Sequence, residues 1–334
     1  MSALVQRLVR ADLRSRAVLF GVLVGLPLSA VFFWLAFRNT DLDEVWSVLT
    51  EADVGSVVFA VVAMAAVYAG QASRWRAIAR TPGVPASRFG EMVVSGVAVN
   101  NVLPGRVGDL LRARWLQVAG RIPAGRALAT VFVDRSFDVL ALVVFLVISL
   151  PFVAGAEWLR RIALGGVVLL IALALVLAAA RGYTRHRARE RRGQRSLLRR
   201  IARDTLEGLS DPLGRMRAVV LAGASLAIWA TWALAAWFVA HAVGIEFSLV
   251  EAIFVTAVIN LGVAIPSSPG FIGTYQWLGV SALALFDIGT EQALAFAILM
   301  HAVWYVPTML VGGALLLRRA IGTIGVRSRA RAAG

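Results

Sequence analysis

The sequence predicts an all-α, polytopic membrane bundle of about six full spans plus two re-entrant, broken-helix hairpins related as an inverted repeat. Three observations lead there. Hydrophobic residues make up 59% of the 334, charged residues only 16%, and the mean hydropathy is +0.78, well beyond an ordinary soluble domain. Six apolar runs reach the roughly 20 residues that a spanning helix needs. Two further segments, too short to span, share a proline–glycine motif at corresponding places in the two halves.

The six runs are Ala17 to Phe37, Val54 to Ala72, Ala127 to Val153, Ile162 to Ala180, Ala218 to Val243 and Ala293 to Leu317. Arg7, Arg10, Arg14 and Arg16 precede the first run. Its apolar core exceeds the roughly 7–15 residues of a signal peptide, so it reads as an anchor. Residues 1–16 read as a cytoplasmic arm, with Leu4, Val5, Leu8 and Leu13 among the arginines as in an amphipathic surface helix.

Charge orients the runs. The net charge is +15, carried by arginine alone because the chain contains no lysine. Residues 38–53 hold Asp41, Asp43, Glu44, Glu51 and Asp53 against Arg38, which places that loop outside; Arg74, Arg76, Arg80 and Arg88 place the next inside. The loop 181–217 has twelve arginines against four acids. It therefore faces the cytoplasm, as do both termini and the basic tail 319–334, around a single transmembrane domain over 17–318 in the cell (plasma) membrane. Most such loops are solvated linkers, and anionic inner-leaflet lipid is the partner this one would attract.

The repeat halves cover about 88–153 and 248–317. Glu91, eight residues, Asn100, then Pro104-Gly105-x-x-Gly108 is matched by Glu251, eight residues, Asn260, then Pro269-Gly270-x-x-Gly273. The offset is 160 residues at the glutamates and 165 at the prolines, and Ala127-Leu128-Ala129 matches Ala293-Leu294-Ala295. Each copy has about 13 apolar residues before its turn, too few to cross. A re-entrant hairpin fits, and three spans between the copies would make them inverted; two pairs of short tilted helices would satisfy the same charge rule. Breaks of this kind at matching positions mark substrate sites in secondary transporters.

Charged residues inside apolar runs supply the candidate site. Asp134, Arg135 and Asp138 must lie within the bilayer if the run from Ala127 is to cross, and Arg135 can pair with Asp138 one turn away. A purely structural ion pair is the alternative. Arg106, Asp109 and Arg112 recur every three residues after the first turn, at a helix start suited to an anion such as phosphate. The second turn is followed by Phe271, Tyr275, Gln276 and Trp277, aromatic and amide-bearing. Asn100, Asn101 and Asn260 are placed to cap freed backbone groups or meet a head group. Glu91 and Glu251 read as helix-terminal charges, and with His301, Asp134 and Asp138 they are the candidate proton carriers.

Several chemistries have no signature here. The chain has zero cysteines and three histidines. No HExxH, GxSxG or Walker loop occurs, so no catalytic residue, metal ligand or cofactor is assigned. Nothing points to nucleic acid.

Three blocks, NNVLPGRVGDLLRA (Asn100 to Ala113), VFVDRSFDVLAL (Val131 to Leu142) and IPSSPGFIGTYQ (Ile265 to Gln276), resemble the transmembrane region of lysylphosphatidylglycerol synthases, also called flippase-like domain proteins. The similarity in span layout covers about 17–318. It implies a module that moves or holds a phospholipid or lipid-linked substrate, such as an aminoacylated or polyisoprenoid lipid, between leaflets. In the best-known members a cytoplasmic synthase domain follows. Only 17 residues follow Leu317 here, so lysyl-lipid synthesis is not expected of this polypeptide. The alternatives are a membrane-embedded enzyme acting on a lipid-linked substrate, or an anchor for a separate cytoplasmic synthase or glycosyltransferase.

Overall fold

The computed structural model describes residues 27–38, 40–103, 106–153, 212–246, 248–263 and 269–332. The expected arm 1–16, the start of the first span, the span Ile162 to Ala180, the basic loop up to residue 211 and the tip residues 104–105 and 264–268 lie outside them. The described residues are all-α, with no strand among them.

Ten helices are described: α1 (Pro27–Phe37), α2 (Leu42–Thr50), α3 (Val54–Ala79), α4 (Ala86–Val102), α5 (Val107–Ala119), α6 (Ala124–Ser149), α7 (Pro212–Ala242), α8 (Leu249–Gly262), α9 (Thr274–Leu283) and α10 (Thr290–Ala332). Their starts carry ordinary caps. Asp41 accepts from the Asp43 and Glu44 amides, Asp53 accepts from Ser56 at 2.7 Å, and Ser248 with Glu251 forms a reciprocal capping box. Glu251 thus sits in a first turn, whereas Glu91 does not. Pro85 caps α4, which starts at Ala86 five residues before Glu91, and Glu91 pairs instead with Arg88 (2.9 Å) and with Arg319 of α10 (3.4 Å).

Within the described residues, α3, Met216–Ala242 of α7 and Thr290–Arg319 of α10 are long and apolar enough to cross a membrane. The 26 residues of α6 would reach about 39 Å, but its charged turn sets it apart from a purely apolar span. Exposure runs opposite to that of a soluble protein: on α6, Phe132 is 68% exposed while Asp134 is 1%. Val58, Phe59 and Val62 of α3 and Leu310 of α10 also face outward. A surface of this kind is solvated by lipid tails.

The repeated segments fold as two short antiparallel pairs. Gly96 of α4 faces Arg112 of α5 and Asn100 faces Gly108; likewise Gly262 of α8 faces Leu278 of α9, and Ile259 faces Gly279. At 17 residues or fewer, none of these four helices reaches the length of a full span. Packing between the copies is reciprocal: α6 lies against α8, and α10 against α4. Arg106 (φ 54°) and Phe271 (φ 60°), which the alignment of the copies equates, both adopt the left-handed conformation just before their second helices. Other left-handed non-glycine residues, Arg80, Arg121 and Asp287, follow helix C-termini, where that conformation is commonplace.

The second glycine of each motif is explained by close approach. A Cβ on Gly108 would stand 1.9 Å from the Gly96 carbonyl oxygen, and one on Gly273 would stand 2.5 Å from that of Ser29 in α1. Both obstacles are backbone. Gly108→Ala is therefore expected to destabilise the protein by about 3 kcal/mol or more, at or above the upper end of ordinary overpacking. Gly223→Ala, whose Cβ meets nothing within 4 Å, is the neutral control. Thermal unfolding of the two purified variants in the same detergent checks the contrast.

Candidate functional site: a buried ionic network beside two helix breaks

Six ionic side chains from α3, α5 and α6 converge. Arg74 of α3 holds Asp134 (2.9 Å) and Asp138 (2.7 Å) of α6, and donates through Nη1 to Ser225 Oγ of α7 at 2.8 Å. Arg112 of α5 pairs with Asp134 (3.1 Å) and Asp109 (3.4 Å). Arg135 pairs with Asp138 (2.9 Å) and Asp109 (3.5 Å). The Trp229 indole N–H donates to Asp138 at 3.1 Å, and the Trp75 ring stacks under the Arg112 guanidinium at 4.3 Å. Trp75 is itself fixed by donating to Thr130 Oγ1 at 3.1 Å.

Three guanidinium groups balance three carboxylates, so the cluster is neutral as a set, the condition for keeping charges out of water. Arg74, Arg112 and Asp134 are almost wholly buried. Donors nevertheless outnumber acceptors: Arg112 Nε and Arg135 Nε are buried with no hydrogen-bond partner among the described residues. A buried cationic N–H without an acceptor is expensive, and an incoming anionic oxygen would relieve it. At the edge stands Arg106, exposed and without an ion pair among the described residues, yet close enough to feel the charges of Arg135, Asp109 and Asp138. It makes the local balance positive.

The sequence-predicted residues divide into two groups. Asp109, Arg112, Asp134, Arg135 and Asp138 join in one network. Tyr275, Gln276 and His301 form another, on α9 and α10: Gln276 accepts from the Gly273 amide (2.8 Å) and hydrogen-bonds His301 Nδ1 (2.9 Å), while the His301 ring stacks on Trp304 at 5.0 Å and lies 4.8 Å from Tyr275. His301 Nε2 has no partner among the described residues. Asn260 turns back to the Thr256 carbonyl (2.8 Å), and lines a crevice too narrow to admit water with Tyr275 and Trp232.

The asparagines connect the breaks. Asn100 Oδ1 accepts from the Gly108 amide at 2.7 Å, satisfying a free N–H at the start of α5. Asn101 Nδ2 donates to Thr308 Oγ1 of α10 at 3.3 Å. A Cβ on Gly270 would lie 3.3 Å from the Asn101 carbonyl oxygen and 2.9 Å from the Tyr305 ring. So the end of α4 touches the Pro269–Phe271 turn before α9.

Arg74 is the residue sequence reasoning missed. Hydropathy falls after Ala72, so the sequence alone assigns Arg74 to a cytoplasmic loop, but α3 continues to Ala79. Its signal lies in the buried stripe of α3, where Ala60, Met64, Val67, Gln71 and Arg74 recur at helical spacing. A single Arg135 could not balance Asp134 and Asp138, which was the second clue.

Comparison with known proteins agrees with this architecture. The chain is 28% identical over 333 residues to the protein named glycosyltransferase AglD of Haloferax volcanii, an alignment covering 87% of this chain and 53% of that protein. It is 28% identical over 165 residues to UPF0104 membrane protein MJ1595 of Methanocaldococcus jannaschii, covering 47% of this chain and 49% of that one. The chain thus spans about half the length of these curated relatives. Residues 18–312 match the profile of the family described as the lysylphosphatidylglycerol synthase transmembrane region, named for a membrane region rather than a catalytic domain. With that match extending over most of the 334 residues, the chain belongs to the lysylphosphatidylglycerol synthase transmembrane region family.

Proposed function

We propose that this membrane protein is flippase- or transporter-like, binding an anionic, aminoacylated or polyisoprenoid-linked lipid and moving it between leaflets, without catalysing a covalent reaction. The carrying observation is the buried network, neutral yet with two arginine N–H groups unsatisfied among the described residues, beside Arg106, which makes no ion pair among them, at a helix break. An anionic head group supplies the missing acceptors and the missing negative charge. In this reading the pairs α4–α5 and α8–α9 are re-entrant hairpins of an inverted repeat. The end of α4 and the turn before α9, which touch at Asn101 and Gly270, form the polar floor of the path, and His301, Glu91 and Glu251 are available for proton coupling. Both termini face the cytoplasm of the cell membrane.

A second reading has one observation in its favour: the relative named as a glycosyltransferase, of which this chain matches about half. There the module would present a lipid-linked substrate to a separate cytoplasmic synthase or glycosyltransferase. Proteoliposomes with head-group-labelled anionic, aminoacylated and polyisoprenyl-phosphate lipids decide between them. Accelerated leaflet exchange in wild type, lost at least tenfold in Arg135→Ala, is the expected result. Folded protein that accelerates none of these lipids would favour the presenting role.

A further inference from the structure

A second cationic site lies apart from the network. One face of α3, formed by Ala69, Ala72, Ser73, Arg76, Ala77 and Arg80, lines a cavity of about 670 Å³. This is a size in which head groups and small ligands are commonly held. The stripe recurs at helical spacing and points away from Arg74, so α3 serves two sites from two faces. Across from it are Thr81, Pro82, Ala86, Gly90 and, from α7, Arg217. Room is made by small side chains on both walls; a Cβ on Gly90 would meet nothing within 4 Å.

Three arginines line this space. Among the described residues no carboxylate does, and Arg76, Arg80 and Arg217 make no ion pair among them. Part of their placement is local. Arg217 Nη2 donates to the Ala77 carbonyl, and Arg126 donates to that of Arg80 at 3.5 Å, as cations do at a helix C-terminus. Capping uses one N–H of Arg217 and leaves its other donors without a partner among the described residues. It gives no reason for a roomy cavity between the arginines. Thr81, 7% exposed, adds a buried hydroxyl with no partner among the described residues.

We infer that this cavity binds a phosphate group, presented either by a phospholipid head group or as a free anion. Guanidinium forks match phosphate oxygens geometrically, and with no competing carboxylate among the described lining residues a doubly hydrogen-bonded anion complements the site. The inference does not rest on lipid translocation, since a chain that moves no lipid would still hold phosphate here.

The test is equilibrium binding to the full chain in zwitterionic nanodiscs, titrated with inorganic phosphate and, separately, with dihexanoyl phosphatidylglycerol. Two variants accompany wild type: Arg76→Gln with Arg80→Gln, removing exposed cations, and Gly90→Phe, filling the cavity while keeping every charge. Saturable binding weakened about tenfold or more in both variants is expected, each lost charge-assisted contact corresponding to roughly that factor. Binding of the diester alone assigns a lipid head group; equal binding of inorganic phosphate assigns a free anion. Absence of saturable binding by either probe, or binding that both folded variants retain, overturns the inference.

Discussion

Asp134→Ala is expected to lower stability by about 3–5 kcal/mol, a large share of the roughly 5–15 kcal/mol that holds a typical fold together. Asp134 accepts from both Arg74 and Arg112, at 2.9 and 3.1 Å, and all three side chains are about 1% exposed. Removing the carboxylate strands two guanidinium groups in a place water does not reach, and their attraction to Asp138 and Asp109 replaces only part of the loss. Asp134→Asn keeps the shape and some hydrogen bonds, so its cost should fall well below that of alanine. Removing the charge on both sides with Arg74→Met and Asp134→Asn restores neutrality, and the double variant should lose at least about 1 kcal/mol less than the sum of its parts. Thermal unfolding of the four purified proteins in one detergent measures this cycle. A midpoint for Asp134→Ala within a degree of wild type would mean that the network does not hold α3, α5 and α6 together.

The same cluster shows why the sequence disclosed part of the site. Asp134, Arg135 and Asp138 stand out because charge within an apolar run has few innocent explanations, and Arg106, Asp109 and Arg112 because they follow a helix-breaking motif. The copies of Pro-Gly-x-x-Gly were legible since the second glycine of each answers a steric demand, at Gly96 for one and at Ser29 for the other. Arg74 was hidden by the very pairing that matters. A hydropathy window scores an arginine as though it faced water or lipid, whereas here its charge is cancelled by residues some 60 positions away in the chain. The partners Ser225 and Trp229 were hidden for the same reason: hydrogen-bonding side chains on α7 carry no sign of their purpose until α3 and α6 are set beside them. Local signals survive in a sequence, and long-range neutralisation does not.

Arg106→Gly should separate stability from function in opposite directions. Arg106 holds a left-handed backbone (φ 54°) at the start of α5, a conformation costing a side-chain-bearing residue about 1–2 kcal/mol and glycine almost nothing. Glycine also makes the unfolded chain more flexible, which takes back up to about 1 kcal/mol. Since Arg106 is exposed and makes no ion pair among the described residues, no ion pair there is lost to offset the gain, and the variant should be as stable as wild type or up to about 1 kcal/mol more. Lipid exchange should nonetheless fall at least tenfold, because the surplus cation that the described residues place beside the network is gone. Arg106→Lys restores charge without the planar fork and should recover part of the rate, as a residue chosen merely for its turn would not require. A strained residue whose relief costs activity but not stability is the signature of backbone energy held at a functional site. Should Arg106→Gly exchange lipid at the wild-type rate in the same proteoliposomes, the left-handed turn is only architecture, and the head group must be met elsewhere on the network.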